Sequence, residues 1–585
     1  MAALPEHWIT DTVPNRKFTI WSRGNAGEIY PDPISPLSGS SVFLHAGELG
    51  YQDAFVKAGT MDRDEFDPGT FHNLMASYGG YLYLNMSISR LYGVRCPGMT
   101  PEMVDQQYYG ELTGIPSYES EARPGDESPR HTEQLGAWIG EFVFNRDDVP
   151  ELLEHRAEVQ RRIAARGPVG AMTDEQLIAH LHAYDDLYRE MFSWHILVSA
   201  AVGFGIGTVS AVCQAIGQPS LPMTLISGVG DVDSAAPSHA MWAMARTIDS
   251  DADLTAAFDA GISGVLSRVA GLTSPAAETF RTQLHAFIER FGSRGPNEWE
   301  LRSKVWGTHP EVALAAVDRM RGMAAGESPD VHERRRADER IAATAQVREM
   351  LAANPEALGQ FDGGLRAAMV FGAARERCKT TLIMVVHELR LAARELGRRW
   401  AAEGLLDDAD HVFMLTDAEL PRMRTEAAVL AAVAREREPQ YLALWDLEPP
   451  FIVVGEAPGL SQWTRRDAHT AIVATAGTTL SGIPGCAGVA RGRARIVTDP
   501  SDPFALEPGD ILVAPLTDPA WTPLFVPAAA VVVDVGAQIT HAVIVSRELG
   551  IPCVVSVTDA TRKIPDGALV EVDGAAGTVT VLELP

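Results

Sequence analysis

Apolar residues recur at helical spacing through most of the chain up to about residue 440. Thr173 and Gln176 form a capping box at the start of one such segment. The spacing predicts helices over the segments 151–166, 239–248, 252–270, 274–291, 330–353, 363–404 and 422–437. Residues 1–50 are rich in proline and glycine, and we expect them to be irregular.

The pattern changes near residue 448. Pro449 and Pro450 open a loose, polar stretch, and from residue 478 short β-branched runs alternate with glycine and proline turns, as in an α/β module. We therefore predict a multi-domain chain with a large, mostly α-helical body and a compact C-terminal α/β domain. The predicted boundaries are 1–447 for the body, 448–477 for a hinge linker and 478–585 for the α/β domain.

One strand–turn–helix unit is predicted near the C-terminus. Residues 528–535 form an apolar, β-branched run that is typical of a buried strand. After a glycine turn, Thr540 and Gly550 stand at the N-cap and C-cap positions of a short helix, and Pro552 follows. His541 then lies in the first helical turn. Because a helix N-terminus offers unpaired N–H groups and partial positive charge, this position suits a phosphate.

Composition limits the classes of function. The chain has 585 residues, more than one core supports, and two to four domains are expected. Its net charge of −28 disfavours nucleic acid and anionic membranes as partners. The five cysteines are scattered, with no Cys-x-x-Cys pair, and no signal peptide is visible. We expect a cytoplasmic protein without disulfides or a thiolate metal site.

One uncharged stretch, 196–213, approaches membrane-spanning length. It contains Gly203, Gly205 and Gly207, and it stands alone. We interpret it as a buried helix whose small residues allow close packing or a pocket, in preference to a membrane span.

The region around His541 resembles the swivelling phosphohistidine domain of the phosphoenolpyruvate (PEP)-utilising enzymes. The resemblance covers 478–585, and its signature segment reads Gly536-Ala-Gln-Ile-Thr-His541-Ala-Val-Ile-Val-Ser-Arg547-Glu-Leu-Gly550-Ile-Pro. It implies that His541 carries a phosphoryl group, supported by Gly536, Thr540 and Arg547. The alternatives are a plain N-cap for Thr540 and a residue facing solvent or a partner for Arg547.

The helical body resembles the substrate-binding domain of rifampicin phosphotransferase-like proteins. The matching blocks include an opening segment with Asn25 and Glu28, a loop with Arg294 and Glu298, and a helical element with Arg375 and Lys379. The resemblance implies that Asn25 and Glu28 bind the acceptor. It implies catalytic roles for the other four residues. The alternatives are a structural ion pair for Arg294 and Glu298 and a solvated surface for Arg375 and Lys379, which are spaced i,i+4.

A hydroxyl acceptor needs a base, because its proton must leave as the new O–P bond forms. The candidates are Glu298, His195, His239 and His387, and His195 is favoured because it precedes the glycine-rich apolar helix. His195 and His387 are accordingly predicted to lie in the substrate site. No cluster has metal-ligand spacing, so no metal site is predicted on this chain.

These features together predict an ATP-dependent, dikinase-type phosphotransferase subunit that resembles the carrier subunit of split phenylphosphate synthase. No stretch resembles a nucleotide-binding domain, so ATP and Mg²⁺ are expected on a separate ATP-binding subunit. The acceptor is expected to be a phenol or alkylphenol, giving an aryl phosphate, AMP and phosphate. The alternatives are a component that phosphorylates a rifamycin-like antibiotic and a non-catalytic phosphohistidine relay protein.

Overall fold

The computed structural model describes residues 4–41, 43–109, 114–227, 233, 236–324, 326, 328–466, 473–498, 505–517, 521–525, 527–536 and 540–585. The chain divides into two compact units. Unit 1 comprises Met1–Gly203, Trp299–Arg302 and Val370–Thr470, and unit 2 comprises Phe204–Glu298, Ser303–Met369 and Ala471–Pro585.

Helices dominate the part of the chain before residue 447. In chain order they are α1 (Ala26–Ile29), α2 (Pro36–Ser40), α3 (Glu48–Lys57), α4 (Met86–Arg95), α5 (Pro101–Tyr109), α6 (Pro129–Trp138), α7 (Glu151–Ala165), α8 (Asp174–His180), α9 (Asp185–Ala215), α10 (Leu221–Leu225), α11 (Ala236–Asp249), α12 (Ala252–Asp259), α13 (Val265–Ala270), α14 (Pro275–Phe291), α15 (Pro310–Met320), α16 (Pro329–Leu351), α17 (Pro355–Ala402) and α18 (Ala427–Leu444). Three short helices follow in the C-terminal part of the chain, α19 (Thr522–Phe525), α20 (His541–Leu549) and α21 (Ala560–Lys563).

The strands in chain order are β1 (Ile20–Ser22), β2 (Met75–Tyr78), β3 (Tyr81–Asn85), β4 (Leu447–Glu448), β5 (Ile452–Val454), β6 (Thr464–Arg465), β7 (Thr479–Ser481), β8 (Ile483–Cys486), β9 (Val489–Ile496), β10 (Ile511–Ala514), β11 (Ala530–Val533), β12 (Cys553–Val555), β13 (Leu569–Asp573) and β14 (Thr578–Glu583). Unit 1 contains an antiparallel sheet in the order β2-β3-β1-β5 and the pair β4-β6. Unit 2 contains an eight-stranded sheet in the order β7-β14-β13-β9-β10-β11-β12-β8.

The predicted helices are confirmed with shifted ends. Thr173 and Gln176 form the expected capping box at the start of α8. The segment 252–270 is not one helix, because it divides into α12 and α13 where Gly261 and Gly264 take positive φ values of 93° and 72°. Such backbone conformations suit glycine and end a right-handed helix.

The sheet in unit 1 is absent from the sequence prediction, which described the body in terms of helices and the first 50 residues as irregular. Every residue of β1, β2 and β3 is buried, so these strands lack the apolar–polar alternation that marks a strand exposed on one face. Gly79 and Gly80 form the turn between β2 and β3 with φ values of 56° and 77°. Two successive positive φ values are the signature of a tight hairpin turn.

Much of the predicted hinge belongs to one unit or the other. β5 pairs with β1, with Val453 opposite Trp21, and β6 pairs with β4, so the chain up to residue 466 is part of unit 1. In unit 2, the Ala474 N–H donates to the carbonyl of Lys563 at 2.8 Å. Residues 467–472 between these two segments lie outside the described residues, and the hinge stays a prediction.

The α/β domain predicted near the C-terminus is present in unit 2. β9, β10, β11 and β12 run parallel, and every residue of β10 and β11 is buried. Buried parallel strands joined by helices are the expected outcome for short β-branched runs between turns. The helix α20 connects β11 to β12, which places its N-terminus at the carboxyl edge of the parallel strands.

One helix is long and apolar enough to cross a membrane by length and composition, in the region that the sequence prediction singled out. Half of its most apolar window is buried inside the structure, as is usual for a core helix. In unit 2, a Cβ atom at Gly205 would lie 2.8 Å from the Cα of Ala368, and one at Gly364 would lie 2.9 Å from the Cβ of Thr208. The small residues therefore permit close helix packing, as expected.

Candidate functional site

The first candidate site surrounds the N-terminus of α20 in unit 2. His541 is the first helical residue, and Gly550 ends the helix in the left-handed conformation with φ of 74°. The N–H groups of Gly550 and Ile551 both donate to the carbonyl of Ser546, which completes the C-cap. The strand and the helix of the predicted strand–turn–helix unit are confirmed as β11 and α20. The side chain of His541 and residues 537–539 lie outside the described part of the chain.

Thr540 occupies the N-cap position of α20 without acting as a conventional cap. Its backbone is extended, with φ of −81° and ψ of 166°, but its hydroxyl makes no capping hydrogen bond. The side chain is 4% exposed, and among the described residues the buried Oγ1 has no hydrogen-bond partner. Because leaving such a group unsatisfied costs about 1–3 kcal/mol, a hydroxyl retained beside His541 is suited to a ligand that this helix end would hold.

Gly536 and Arg547 have structural contacts that the sequence did not reveal. A Cβ atom at Gly536 would lie 3.0 Å from the Cβ of Val555, so the loop before α20 needs a small residue there. Arg547 is 5% exposed, and its Nε donates to the carbonyl of Gly485 at 3.1 Å. Arg547 therefore does not face solvent, and its support of a phosphohistidine stays a prediction.

A buried carboxyl group was missed by the sequence analysis. Asp534 follows β11 directly, and it accepts hydrogen bonds from the backbone N–H of Thr561 at 2.8 Å and from the Thr561 hydroxyl. Burial raises the pKa of Asp534 to about 7. The only sequence signal was a carboxylate at the end of a buried strand, immediately before the glycine turn.

The second candidate site lies in unit 1 and unites three predicted residues. Arg375 and Lys379 are one turn apart on α17, and His195 lies on α9. The pKa of His195 is lowered to about 3, first by burial and then by the positive charges of Arg375 and Lys379. The Nδ1 atom of His195 is buried and has no hydrogen-bond partner among the described residues. This cluster is a neutral imidazole beside two cations.

Aromatic side chains adjoin this cluster. Phe142 lies in a π-helical turn, Ile139–Val143, a geometry found frequently at functional sites. Its ring stacks on Phe371 at 5.2 Å and contacts Trp194 at 5.9 Å between ring centroids. Phe371 is one helical turn before Arg375, and Trp194 precedes His195. We name Phe142, Trp194 and Phe371 the aromatic wall. Sequence reasoning missed it because its members come from three separate segments.

The other histidine candidates have protein partners. His387 Nδ1 lies 3.3 Å from Nη1 of Arg390, and its pKa is lowered to about 3 by burial and then by the charge of Arg390. In unit 2, the ring nitrogens of His239 lie 3.0 Å from Asp330 and 3.4 Å from Glu333. These three residues could hold a metal ion by proximity alone. The two carboxylates face opposite nitrogens of the His239 ring, whereas a single metal ion would bind only one of these nitrogens. The arrangement is therefore that of an ion pair.

Arg294 and Glu298 are bound to each other in unit 2. Arg294 Nε donates to Glu298 Oε2 at 2.7 Å, and the two side chains are 3% and 1% exposed. The carbonyl of Arg294 accepts from the N–H of Trp306 at 2.9 Å, which fixes the loop. Such burial favours the structural alternative, while their catalytic role stays a prediction. In unit 1, Asn25 has a strained φ of 59°, and the side chain of Glu28 lies outside the description.

The first candidate site is thus a helix N-terminus at His541, and the second is a neutral imidazole beside two cations. Family models match both parts. The rifampicin phosphotransferase fourth domain matches residues 195–376, and the mobile domain of PEP-utilising enzymes matches residues 506–577. Over residues 506–577 the chain is similar to the PEP-utilising enzymes.

Three relatives illustrate the similarity. An uncharacterized protein of Mycobacterium tuberculosis is 28% identical over 98% of this chain and 63% of its own. The prodigiosin synthesizing transferase PigC of Serratia marcescens is 27% identical over 98% of this chain and 64% of its own. A rifampicin phosphotransferase of a Streptomyces species is 31% identical over 53% of this chain and 35% of its own. The chain thus spans less than two thirds of the length of these curated relatives.

Proposed function

We propose that this chain carries a phosphoryl group on His541 from ATP to a hydroxyl acceptor bound in unit 1. The observation that carries the proposal is the match of residues 506–577 to the mobile domain, with His541 at the N-terminus of α20. ATP and Mg²⁺ are proposed to bind a separate nucleotide-binding subunit. The proposed overall reaction converts ATP, water and the acceptor into AMP, phosphate and a phosphorylated product.

In the charging step, a ring nitrogen of His541 attacks a phosphorus atom of the nucleotide. That phosphorus is the β-phosphorus of ATP; its bond to the oxygen that bridges to the α-phosphate breaks, and AMP leaves with the electron pair. Water then attacks the γ-phosphorus of the pyrophosphoryl group on His541, the bond from that phosphorus to the bridging oxygen breaks, and phosphate leaves, so that one phosphoryl group remains on His541. The N-terminal N–H groups of α20 and the hydroxyl of Thr540 would bind the phosphoryl oxygens on His541. The Thr540 hydroxyl has no hydrogen-bond partner among the described residues, which supports this role.

In the discharge step, the acceptor oxygen attacks phosphorus in line with the P–N bond, which breaks and returns its electron pair to His541. Arg375 and Lys379 are suited to bind the phosphoryl oxygens as charge redistributes. The acceptor proton would pass to Nδ1 of His195. With a pKa of about 3, His195 starts unprotonated, and the phosphoryl dianion would offset the two cations and raise its proton affinity.

The aromatic wall supports a planar aromatic acceptor. The Phe142 ring stacks on Phe371 and contacts Trp194, which precede Arg375 by one helical turn and His195 by one residue. Offset ring packing stabilises an aromatic ligand by about 0.5–1.5 kcal/mol beyond the burial of its area. A phenol or alkylphenol carries its hydroxyl at the edge of its ring. Such a molecule could pack its ring on the aromatic wall and direct its hydroxyl toward His195, Arg375 and Lys379.

A rifamycin-like antibiotic is the second candidate acceptor. The rifampicin phosphotransferases among the relatives are 26–31% identical over about half of this chain. This similarity supports a rifamycin acceptor about as well as a phenol. A rifamycin also carries phenolic and aliphatic hydroxyls. A third possibility, a phosphohistidine relay without an acceptor, is distinguished by the same experiment.

The test uses the chain without its partner. Phosphoramidate, a general histidine-phosphorylating reagent, loads the protein, and phosphohistidine at position 541 is confirmed by mass spectrometry. The loaded protein is then mixed with a panel of phenols, with rifampicin or with buffer, and ³¹P NMR follows the product. We expect aryl phosphate to form with phenols faster than free phosphate forms in buffer.

The controls separate carrier from acceptor functions. His541→Ala should abolish aryl phosphate formation, whereas His239→Ala, which removes another histidine of unit 2, should leave it intact. Product from the His541→Ala variant would refute the carrier role. Discharge to rifampicin alone would establish the second candidate, and discharge to none of the acceptors would favour the relay.

A further inference from the structure

Two residues in the short connection between β12 and α21 have a backbone conformation that side chains rarely adopt. Ser556 has a φ of 54° and Asp559 a φ of 58°. Glycine adopts this left-handed region freely, whereas a residue with a Cβ atom is strained there. Strained positions are concentrated at functional sites, so the contacts of these two side chains are informative.

Ser556 uses its hydroxyl to hold the loop that leads to His541. The hydroxyl donates a hydrogen bond to the carbonyl of Gly536. Gly536 also lies close to the preceding residue of the same connection, since a Cβ atom on it would be 3.0 Å from the Cβ of Val555. A glycine at position 556 would avoid the strain but would lack this hydroxyl. The strain at Ser556 is therefore offset by a contact with the loop before α20.

The same connection holds the end of β11 at two more points. The N–H of Val557 donates to the carbonyl of Val533 at 3.0 Å. The N–H of Thr561 donates to the carboxylate of Asp534 at 2.8 Å, and the Thr561 hydroxyl donates to the same carboxylate. Residues 533, 534 and 536 are thus fixed by the connection between β12 and α21.

The helix itself fixes the other end of the loop. The carbonyl of Thr540 accepts from the N–H of Ile544 at 2.9 Å, which is the first backbone hydrogen bond of α20. Only residues 537–539 separate Gly536 from Thr540. Because these three residues span a short length of chain, a displacement of Gly536 would be transmitted to the N-terminus of α20.

We propose that Ser556 is a positioning residue for His541. Its hydroxyl anchors Gly536 and thereby sets where the N-terminus of α20 lies at the carboxyl edge of the parallel strands. The effect on phosphoryl transfer rests on the proposed function, whereas the anchoring of Gly536 does not.

The test compares Ser556→Gly with Asp559→Gly in the full chain. Both substitutions relieve a positive φ, but only the first removes a hydroxyl bound to Gly536. Asp559 is a matched control because its carboxylate is directed toward Arg562, with 3.9 Å between Oδ1 and Nη1. Phosphoramidate is applied over a range of concentrations, and mass spectrometry follows phosphohistidine formation at position 541.

Ser556→Gly should lower the maximal loading rate about tenfold and leave the half-saturating phosphoramidate concentration unchanged, because misplaced reacting groups slow the transfer step without weakening reagent binding. Asp559→Gly should load at the wild-type rate. The urea midpoint should fall in neither variant, because glycine removes the backbone strain. A merely structural role of Ser556 would not separate the loading rate from stability in this way.

A second measurement needs no phosphorylation. The ¹⁵N order parameters of the Gly536 and Thr540 amides should be lower in Ser556→Gly than in wild type and in Asp559→Gly. Unchanged order parameters would overturn the anchor. An unchanged loading rate in folded Ser556→Gly, or an equal fall in Asp559→Gly, would overturn the positioning role. If the order parameters fall but wild-type protein is not loaded at His541, the anchor stands and the proposed function fails.

Discussion

Removing the cations beside His195 should restore part of its basicity. Burial is the largest cause of the low pKa of His195, followed by Arg375 and then Lys379. The pKa falls from 6.5 to about 3, and neither cation contributes more than burial does. One cation therefore accounts for at most half of the fall and the two together for at most two thirds.

These limits give numerical expectations. Because Lys379 is the smallest of the three causes, replacing it with Met should recover at most about a third of the fall in the pKa of His195, and replacing Arg375 as well should recover at most about two thirds. The second limit corresponds to about 3 kcal/mol of interaction between the imidazolium and the two cations, at 1.36 kcal/mol for each pKa unit. Methionine retains most of the side-chain length, so the packing changes little.

Histidine side-chain NMR on ¹⁵N-labelled protein measures these values between pH 4 and pH 7. Arg398→Met is the control, because Arg398 is on the same helix but 65% exposed and paired with Glu395. A pKa that stays near 3 in the double variant would refute the proximity of the cations to His195. Recovery of more than two thirds of the fall in the double variant would refute the dominance of burial. Saturating phenyl phosphate should raise the wild-type pKa in the same direction and leave that of the double variant unchanged.

Three further predictions concern stability and the carrier helix. Glu298→Gln should destabilise the protein by about 3–5 kcal/mol, because it removes the carboxylate charge that pairs with the buried Arg294; urea unfolding measures this, and the combined Arg294→Met and Glu298→Leu variant should recover much of the loss. Thr540→Val should leave stability unchanged or improved while lowering phosphohistidine yield severalfold after phosphoramidate treatment, and Thr540→Ser should behave as wild type. Because the pKa of His195 and that of His387 are lowered to about 3 on folding, these two residues bind more protons in the unfolded chain below pH 6.5, and their contribution to stability falls as the pH drops. Between pH 8 and pH 5 each should cost about 2 kcal/mol, so the stability of the His195→Gln and His387→Gln double variant relative to wild type, measured by urea unfolding, should rise by about 4 kcal/mol over this range.

The features that could be predicted from the sequence are those encoded locally. The helix from His541 to Leu549 was delimited by Thr540 and Gly550, because cap residues and the positive φ of a glycine act within a few positions. The sheet of unit 1 could not be predicted in the same way. Its strands come from residues 20–22, 75–85 and 452–454, and the pairing of β1 with β5 joins Trp21 to Val453, which are 432 positions apart (453 − 21).

The same distinction explains the outcome for the candidate sites. Arg375 and Lys379 were found from their spacing on one helix, whereas the aromatic wall brings Phe142 to Trp194 and Phe371 only through tertiary packing. At Thr540, in contrast, a prediction from local sequence differs from the structure. Its residue type predicted a capping hydrogen bond, and the structure leaves the buried hydroxyl without a partner among the described residues. Folding alone gains nothing from a buried hydroxyl without a hydrogen-bond partner. The missing capping hydrogen bond of Thr540, next to His541, is therefore itself a reason to expect a ligand at this position.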